Sequence, residues 1–177
     1  MLAHVAGNLK RLRAAAGLSQ QALAERSGIS RRMIAGVETG EANISLSSLD
    51  RIAAALDVRF VDLVRDPARV SLDDIRAVTW RGTRPESLAV LLGSVPAERE
   101  AQMWVWTLAP GERYQAEPDP LGWHEMIFVI DGVLRLDLSG ETRDYPGGSH
   151  VIFPTAQPYA YSNSGSAPLR FLRNVIS

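Results

Sequence analysis

Two arginines stand side by side at Arg31 and Arg32, directly after Ser30. A guanidinium fork offers parallel N–H donors that match O6 and N7 of guanine. Far downstream lie a carboxylate, Glu125, and two phenols, Tyr159 and Tyr161, whose two-residue spacing puts them on one face of an extended strand. His4, His124 and His150 are the three histidines, and cysteine is absent, which removes disulfides, thiol nucleophiles and thiolate metal sites. Each feature also has a plain reading. Paired arginines at a helix start can be a solvated face, a lone strand histidine can be a surface or core residue, and strand aromatics dominate small cores. Because consecutive strand residues point to opposite faces, only one of His124 and Glu125 can turn inward. An inward Glu125 needs a partner such as Arg113, Arg135, Tyr159 or Tyr161, since an unpaired buried charge is costly. It holds a cationic or hydrogen-bonding ligand, or it only seals the interior.

The elements that position these residues fall into two patterns. From Val5 to about Leu63 apolar residues recur at helical spacing, as in Val5, Leu9, Leu12 and Ala16 and again in Leu46, Leu49, Ile52, Ala53 and Leu56. Gly17 closes the first helix, Ser19 caps Gln20 to Ser27, and Gly28 ends that helix. Ser30 caps Arg31 to Thr39, Gly40 stops it, Ser45 or Ser47 caps a fourth helix, and a fifth turn runs from Arg59 to Val64. The tight Gly28-Ile29-Ser30 turn lets the third helix cross the second and stand proud, the geometry that enters a major groove.

Beyond Asp66-Pro67 the period changes to two. Leu88, Val90 and Leu92 alternate, as do Met103, Val105 and Thr107, and the runs Met126 to Ile130 and Val133 to Leu138 are strand-like. Asp131-Gly132 between apolar runs predicts a type I′ hairpin. Trp104, Trp106, Phe128, Phe153, Tyr159 and Tyr161 are expected on strands that line an interior. Pro67 breaks the helical pattern and opens the linker, with a turn over Leu72 to Arg76. The expected organisation is a DNA-binding bundle over 1–66, a linker over 67–76 and a β-domain over 77–177.

Charge divides the same way. The 177 residues carry a net charge of -1, yet residues 1–69 hold ten Lys/Arg against seven Asp/Glu, and the remainder nine against thirteen. A basic front and an acidic back fit a small nucleic-acid module joined to a unit with another task. At 46% hydrophobic and 22% charged the chain can build ordinary cores, and no run approaches 18 apolar residues. A soluble cytoplasmic protein without a membrane partner is expected.

The stretch LSQQALAERSGISRRMIAGVETG, with LKRLR before it and SLSSLDRIAAALDV after it, resembles the helix-turn-helix family of phage repressors and XRE-type bacterial regulators over about Val5 to Val64. The resemblance implies roles by position. Gln20 meets the DNA backbone, Arg31 and Arg32 reach base edges, Met33 touches a thymine methyl, Gly36 allows close approach, and Asn43 contacts phosphate. With the cap Ser30 these form the expected DNA-facing set. Arg13 and Glu38 match a pair that braces the first helix against the third.

WHEMIFVIDGVLRLDLSGETRDYPGGSHVIFPTAQPYAYSNSG, from Trp123 to Gly165, is similar to the cupins, small antiparallel β-barrels of double-stranded β-helix type. Trp80, Leu88 to Leu92 and Met103 to Glu112 resemble the first strands of cupins attached to such helix-turn-helix modules. Metal-binding cupins supply two His, a Glu and a further His. Here the slots hold Asp119 or its neighbours, Glu125, and Tyr159 where the last His would stand. No transition metal and no other cofactor is therefore expected.

The chain is accordingly expected to be α+β: a five-helix helix-turn-helix bundle followed by an antiparallel cupin β-barrel. The expected function is a sequence-specific DNA-binding transcriptional regulator and not an enzyme. Its cupin domain makes a homodimer, because a weakly basic module needs two copies on a symmetric operator. It also senses a small-molecule effector through Trp104, Asp119, Glu125, Tyr159 and Tyr161. Two readings compete: a metal-dependent cupin oxygenase or isomerase with a DNA-binding appendage, and a purely structural or antitoxin-like partner.

Overall fold

Three serines start three of the N-terminal helices. In the computed structural model, which describes residues 4–68 and 75–177, Ser19, Ser30 and Ser45 each accept a hydrogen bond from a backbone N–H three residues on. That satisfies one orphan donor per helix and sets the starts of α2 (Gln20–Ser27), α3 (Arg31–Thr39) and α4 (Leu46–Leu56). Ser45, not Ser47, is the cap of α4. α1 (Val5–Ala15) and α5 (Phe60–Val64) complete the bundle. Its core is Val5, Leu9, Leu23, Ile34, Val37, Leu49, Ile52, Phe60 and Leu63, all buried. Asn8 ties α1 to the end of α5 by donating to the carbonyls of Leu63 at 3.0 Å and Arg65 at 2.8 Å.

The chain divides into two compact units, Met1–Ser71 and Leu72–Ser177. The turn expected over Leu72 to Arg76 falls mostly on residues 72–74, outside the described residues.

The second unit has ten strands among the described residues: β1 (Ala77–Arg81), β2 (Leu88–Val95), β3 (Ala101–Leu108), β4 (Arg113–Ala116), β5 (His124–Asp131), β6 (Val133–Leu138), β7 (Glu141–Pro146), β8 (His150–Pro154), β9 (Tyr159–Ser162) and β10 (Leu169–Ile176). They form a six-stranded sheet in the order β1-β2-β3-β10-β5-β8 and a four-stranded sheet in the order β4-β9-β6-β7. Every pairing is antiparallel. The expected closed barrel is thus a jelly roll of two facing sheets, with no ladder among the described residues joining one to the other.

Asp131-Gly132 is not a hairpin. β5 and β6 lie in different sheets, and only Gly132 has a positive φ, 86°. The dipeptide is the corner where the chain crosses between sheets. The turn with positive φ at both central residues is Ser139-Gly140, at 47° and 94°, which closes the β6–β7 hairpin opposite the pair Leu138 and Glu141.

Register fixes what each face carries, because directly opposed residues in a ladder project to the same side. On the inner face of the large sheet, Leu91, Trp104, Arg173 and Ile127 form one row, and Ala89, Trp106, Phe171 and Val129 the next. On its outer face, Val90, Val105, Leu172 and Phe128 form a row beside Met103, Asn174, Met126 and Ile152. The alternations Leu88-Val90-Leu92 and Met103-Val105-Thr107 therefore mark the outward side, and Phe128, expected inside, is exposed. In an all-apolar run such as Met126 to Ile130 the alternation has no polar residue to set its parity. The outer face of the small sheet is polar by contrast, with Arg113, Ser162, Arg135 and Asp144 in one row.

Candidate nucleic-acid interface and interior polar network

α3 is built to show one face. Ile34 and Val37 are buried in the bundle, while Arg31 and Arg32 in its first turn are exposed and Met33 is half-buried. Gly28, at φ 65°, adopts the left-handed conformation that ends α2 and turns the chain into α3. Arg51 of α4 donates to the Ser27 carbonyl at 3.1 Å and fastens that turn from below.

A three-residue brace fixes the other end. Arg13 Nε donates to Glu38 Oε1 at 2.6 Å and its Nη2 to Oε2 at 2.9 Å, while Nη1 donates to the Leu18 carbonyl at 2.8 Å. Gln20 Nε2 donates to Glu38 Oε2 at 2.9 Å. Burial pushes the Glu38 carboxyl upward, but the hydrogen bonds from Arg13 and Gln20 outweigh it and hold the group below its ordinary value. The hydrogen bond to Glu38 likewise raises Arg13 above its ordinary value. The part-buried Gln20 side chain is thereby occupied within its own unit.

Gly36 is explained by packing. A Cβ there would sit 2.8 Å from the Ala42 Cβ. The Gly36 carbonyl accepts from the N–H groups of Glu41 at 2.8 Å and Ala42 at 3.0 Å. The missing side chain seats the loop that carries the exposed Asn43.

In the second unit, Trp104, Glu125, Tyr159 and Tyr161 are all buried and gather around one residue that the sequence reading missed, Arg173 of β10. Arg173 Nε donates to Glu125 Oε1 at 2.7 Å and Nη2 makes a second bond to the same oxygen. Tyr159 donates to Glu125 Oε1 at 2.8 Å, and Tyr161 donates to Oε2. The guanidinium carbon lies 5.4 Å from the Trp104 ring centroid and 5.8 Å from that of Trp106, a double cation–π contact. Arg113 and Arg135, named as partners for Glu125, pair on the surface instead with Asp137 and Asp144. The alternation Leu169, Phe171, Arg173, Val175 was the available signal: it places one charge on an otherwise apolar inward row.

Burial and the nearby Glu125 charge raise Tyr159 well above the ordinary phenol value, and burial raises Tyr161 likewise. Burial pushes Arg173 down, but the neighbouring Glu125 outweighs it and holds the guanidinium well above its ordinary value. Half-buried Asp119 sits at the margin, with its Oδ2 3.4 Å from the Tyr159 hydroxyl, and burial raises its carboxyl above the ordinary value.

This donor set does not suit a transition metal. Where the resemblance places imidazoles stand Asp119 and the phenol of Tyr159, which keeps its proton, and the Glu125 carboxylate is already paired with the Arg173 guanidinium. His124 is exposed, with Nδ1 2.9 Å from the Gly122 carbonyl, and His150 is exposed on the outer face. Among the described residues no group of three His, Asp or Glu side chains is placed to hold a metal ion. No described helix is long and apolar enough to cross a membrane.

Comparison with known proteins matches residues 9–63 to the helix-turn-helix family and residues 104–173 to the cupin domain family. The chain is 28% identical over 166 residues to the HTH-type transcriptional regulator SutR of Escherichia coli strain K12, covering 92% of this chain and 89% of that protein. Among solved structures, an HTH_3 family transcriptional regulator from Vibrio cholerae superposes with a TM-score of 0.72 at 24% identity, over 98% of this chain and 95% of that one. That likeness shows the fold across both units.

Proposed function

We propose a division of labour on the premise that this chain joins an XRE-type helix-turn-helix domain to a cupin domain and is a DNA-binding transcriptional regulator. α3 is the reading helix. Arg31 and Arg32 contact base edges and Met33 a thymine methyl. Ser30 holds the helix start at the groove, and Asn43 and the backbone at Gln20 contact phosphate. The observation that carries this assignment is the polarity of α3: paired exposed guanidinium groups at a serine-capped start, opposite the buried Ile34 and Val37. Gly36 supports the site by seating the Asn43 loop.

The cupin domain supplies dimerisation and effector sensing in a cytoplasmic regulator, and not catalysis. A module with so small a basic excess neutralises few phosphates, so affinity requires two copies on a symmetric operator. An effector acts at the Asp119 and Tyr159 margin of the interior network. The buried Trp106 indole N–H, which lacks a hydrogen-bond partner among the described residues, supports an interior with a donor still to satisfy. Such a molecule shifts operator affinity only as far as it binds the two states differently.

Selection of bound fragments from random duplex DNA tests the assignment. The wild-type chain is expected to enrich one sequence with two symmetric half-sites, and the Arg31→Ala/Arg32→Ala variant to lose that preference. Enrichment of no preferred duplex by the wild type would overturn it.

A further inference from the structure

Tyr159 stands between two carboxylates and has one proton to give. Its hydroxyl donates to Glu125 Oε1 at 2.8 Å, so the longer approach to Asp119 Oδ2, at 3.4 Å, is oxygen against oxygen. Glu125 is served further by Arg173 and Tyr161, whereas Asp119 forms no ion pair among the described residues. The Thr155 hydroxyl stands beside the same Asp119 carboxyl. It is fully buried and completes no hydrogen bond among the described residues. Buried hydroxyls without a partner are rare, and one next to an unpaired carboxyl points to a donor supplied from outside the chain. The mount is rigid. Pro118 and Pro120 flank Asp119 and restrict the backbone on both sides. Asp119 N–H donates to the Thr155 carbonyl at 2.9 Å, and Thr155 N–H to the Trp123 carbonyl at 3.1 Å. Leu121, 94% exposed, and half-buried Trp123 add apolar surface to the same loop.

We propose that Asp119, Thr155 and Tyr159 receive a protonated primary amine, whose ammonium donates one hydrogen bond to each of the three oxygens. The proposal rests on the effector reading above and names the chemical class of the ligand. Charge selects a cation. Glu125 and Arg173 neutralise each other, which leaves the Asp119 carboxylate as the uncompensated charge of the cluster. An anion would meet no free cation there, since the Arg173 guanidinium is committed to Glu125. Donor count selects the ammonium. One nitrogen presents three N–H groups and no acceptor to oppose an all-oxygen cluster. A divalent ion fits less well, because calcium takes about six to eight oxygens, carboxylates prominent among them, and this cluster has one carboxylate and two neutral hydroxyls. Hydrogen bonds from an ammonium to a half-buried carboxylate are of the strong, charge-assisted kind, and a loop already fixed loses little freedom on binding. Because Tyr159 also holds Glu125, an ammonium that draws on its oxygen reaches the Arg173 pair in a single step.

Calorimetric titration of the full-length chain with n-butylamine hydrochloride, in a phosphate buffer free of amines, tests this. The wild type is expected to bind, Asp119→Asn to raise the Kd by about 10-fold or more, and Thr155→Val to raise it by about 3- to 10-fold. Thr155→Val also removes a buried orphan hydroxyl, so its melting temperature should not fall. If it binds butylamine as tightly as the wild type, the hydroxyl is only structural and the assignment is wrong. Tetramethylammonium carries the same charge without an N–H, and magnesium chloride supplies a metal alone. Neither should give binding that Asp119→Asn removes; if either matches butylamine, or if butylamine gives no saturable heat, the ammonium site falls. Operator affinity measured with and without butylamine separates the two readings. Binding that depends on Asp119 and Thr155 but leaves operator affinity unchanged would keep the amine site and remove the effector role.

Discussion

Arg173 grips Glu125 on the diagonal: the residue directly opposite Glu125 on β10 is Val175, and the guanidinium reaches across two positions of register to place Nε 2.7 Å from the carboxylate. The pair is fully enclosed and completed by two tyrosine hydroxyls. Removing one partner leaves an uncompensated charge in a buried interior. Arg173→Met or Glu125→Gln alone should therefore cost about 3–5 kcal/mol. The quadruple variant Glu125→Leu/Arg173→Met/Tyr159→Phe/Tyr161→Phe removes every orphan at once and should recover most of that loss. Urea unfolding followed by circular dichroism measures both, and a quadruple variant no more stable than the singles would contradict the account.

The Arg13–Glu38–Gln20 brace makes the first unit sensitive to acid. Since the folded-state value of Glu38 lies below its unfolded one, its contribution is full above the unfolded carboxyl pKa of about 4.3 and is lost as pH falls through the folded value. Glu38→Ala should lower stability by about 2 kcal/mol at neutral pH and by much less in strong acid. Melting temperatures of the two proteins compared from pH 7 to pH 2 should converge. Parallel curves would show that the brace is not the source.

Gly36→Ala should destabilise the first unit by about 1–3 kcal/mol, because the new methyl collides with the Ala42 Cβ and forces the Asn43 loop outward. Ala42→Gly opens the matching space. The double variant should regain more than half the loss, whereas additive losses would mean that Gly36 serves something other than this contact.

Arg31 and Arg32 touch little within their own unit, so their removal separates binding from folding. Arg31→Ala and Arg32→Ala are each expected to weaken the selected operator by about 1–3 kcal/mol and to leave the melting temperature unchanged. Asn43→Ala should weaken all duplexes alike. Equal weakening by Arg31→Ala on operator and unrelated DNA would reassign that residue to phosphate.

Local chemistry made the helical unit legible. Ser19, Ser30, Gly28 and Gly40 act within three or four residues of themselves, so their spacing alone placed α2 and α3. The β-unit depended on partners far along the chain. Asp131-Gly132 has hairpin chemistry, but nothing within the dipeptide says which sheet each flanking strand joins. Phe128 lies in a run without polar punctuation, where one residue of phase reverses inside and outside. Arg173 and Glu125 are 48 positions apart, and only the pairing of β10 with β5 brings them together.

All four tryptophans, Trp80, Trp104, Trp106 and Trp123, and all four tyrosines belong to the β-unit; the reading bundle has none of either. Ultraviolet-excited emission from the intact protein is thus an optical probe of one half alone. With Trp104 and Trp106 both lying close to the Arg173 cation, anything that enters and moves that guanidinium should change the colour or brightness of the light. An effector screen therefore needs no label and no DNA in the cuvette.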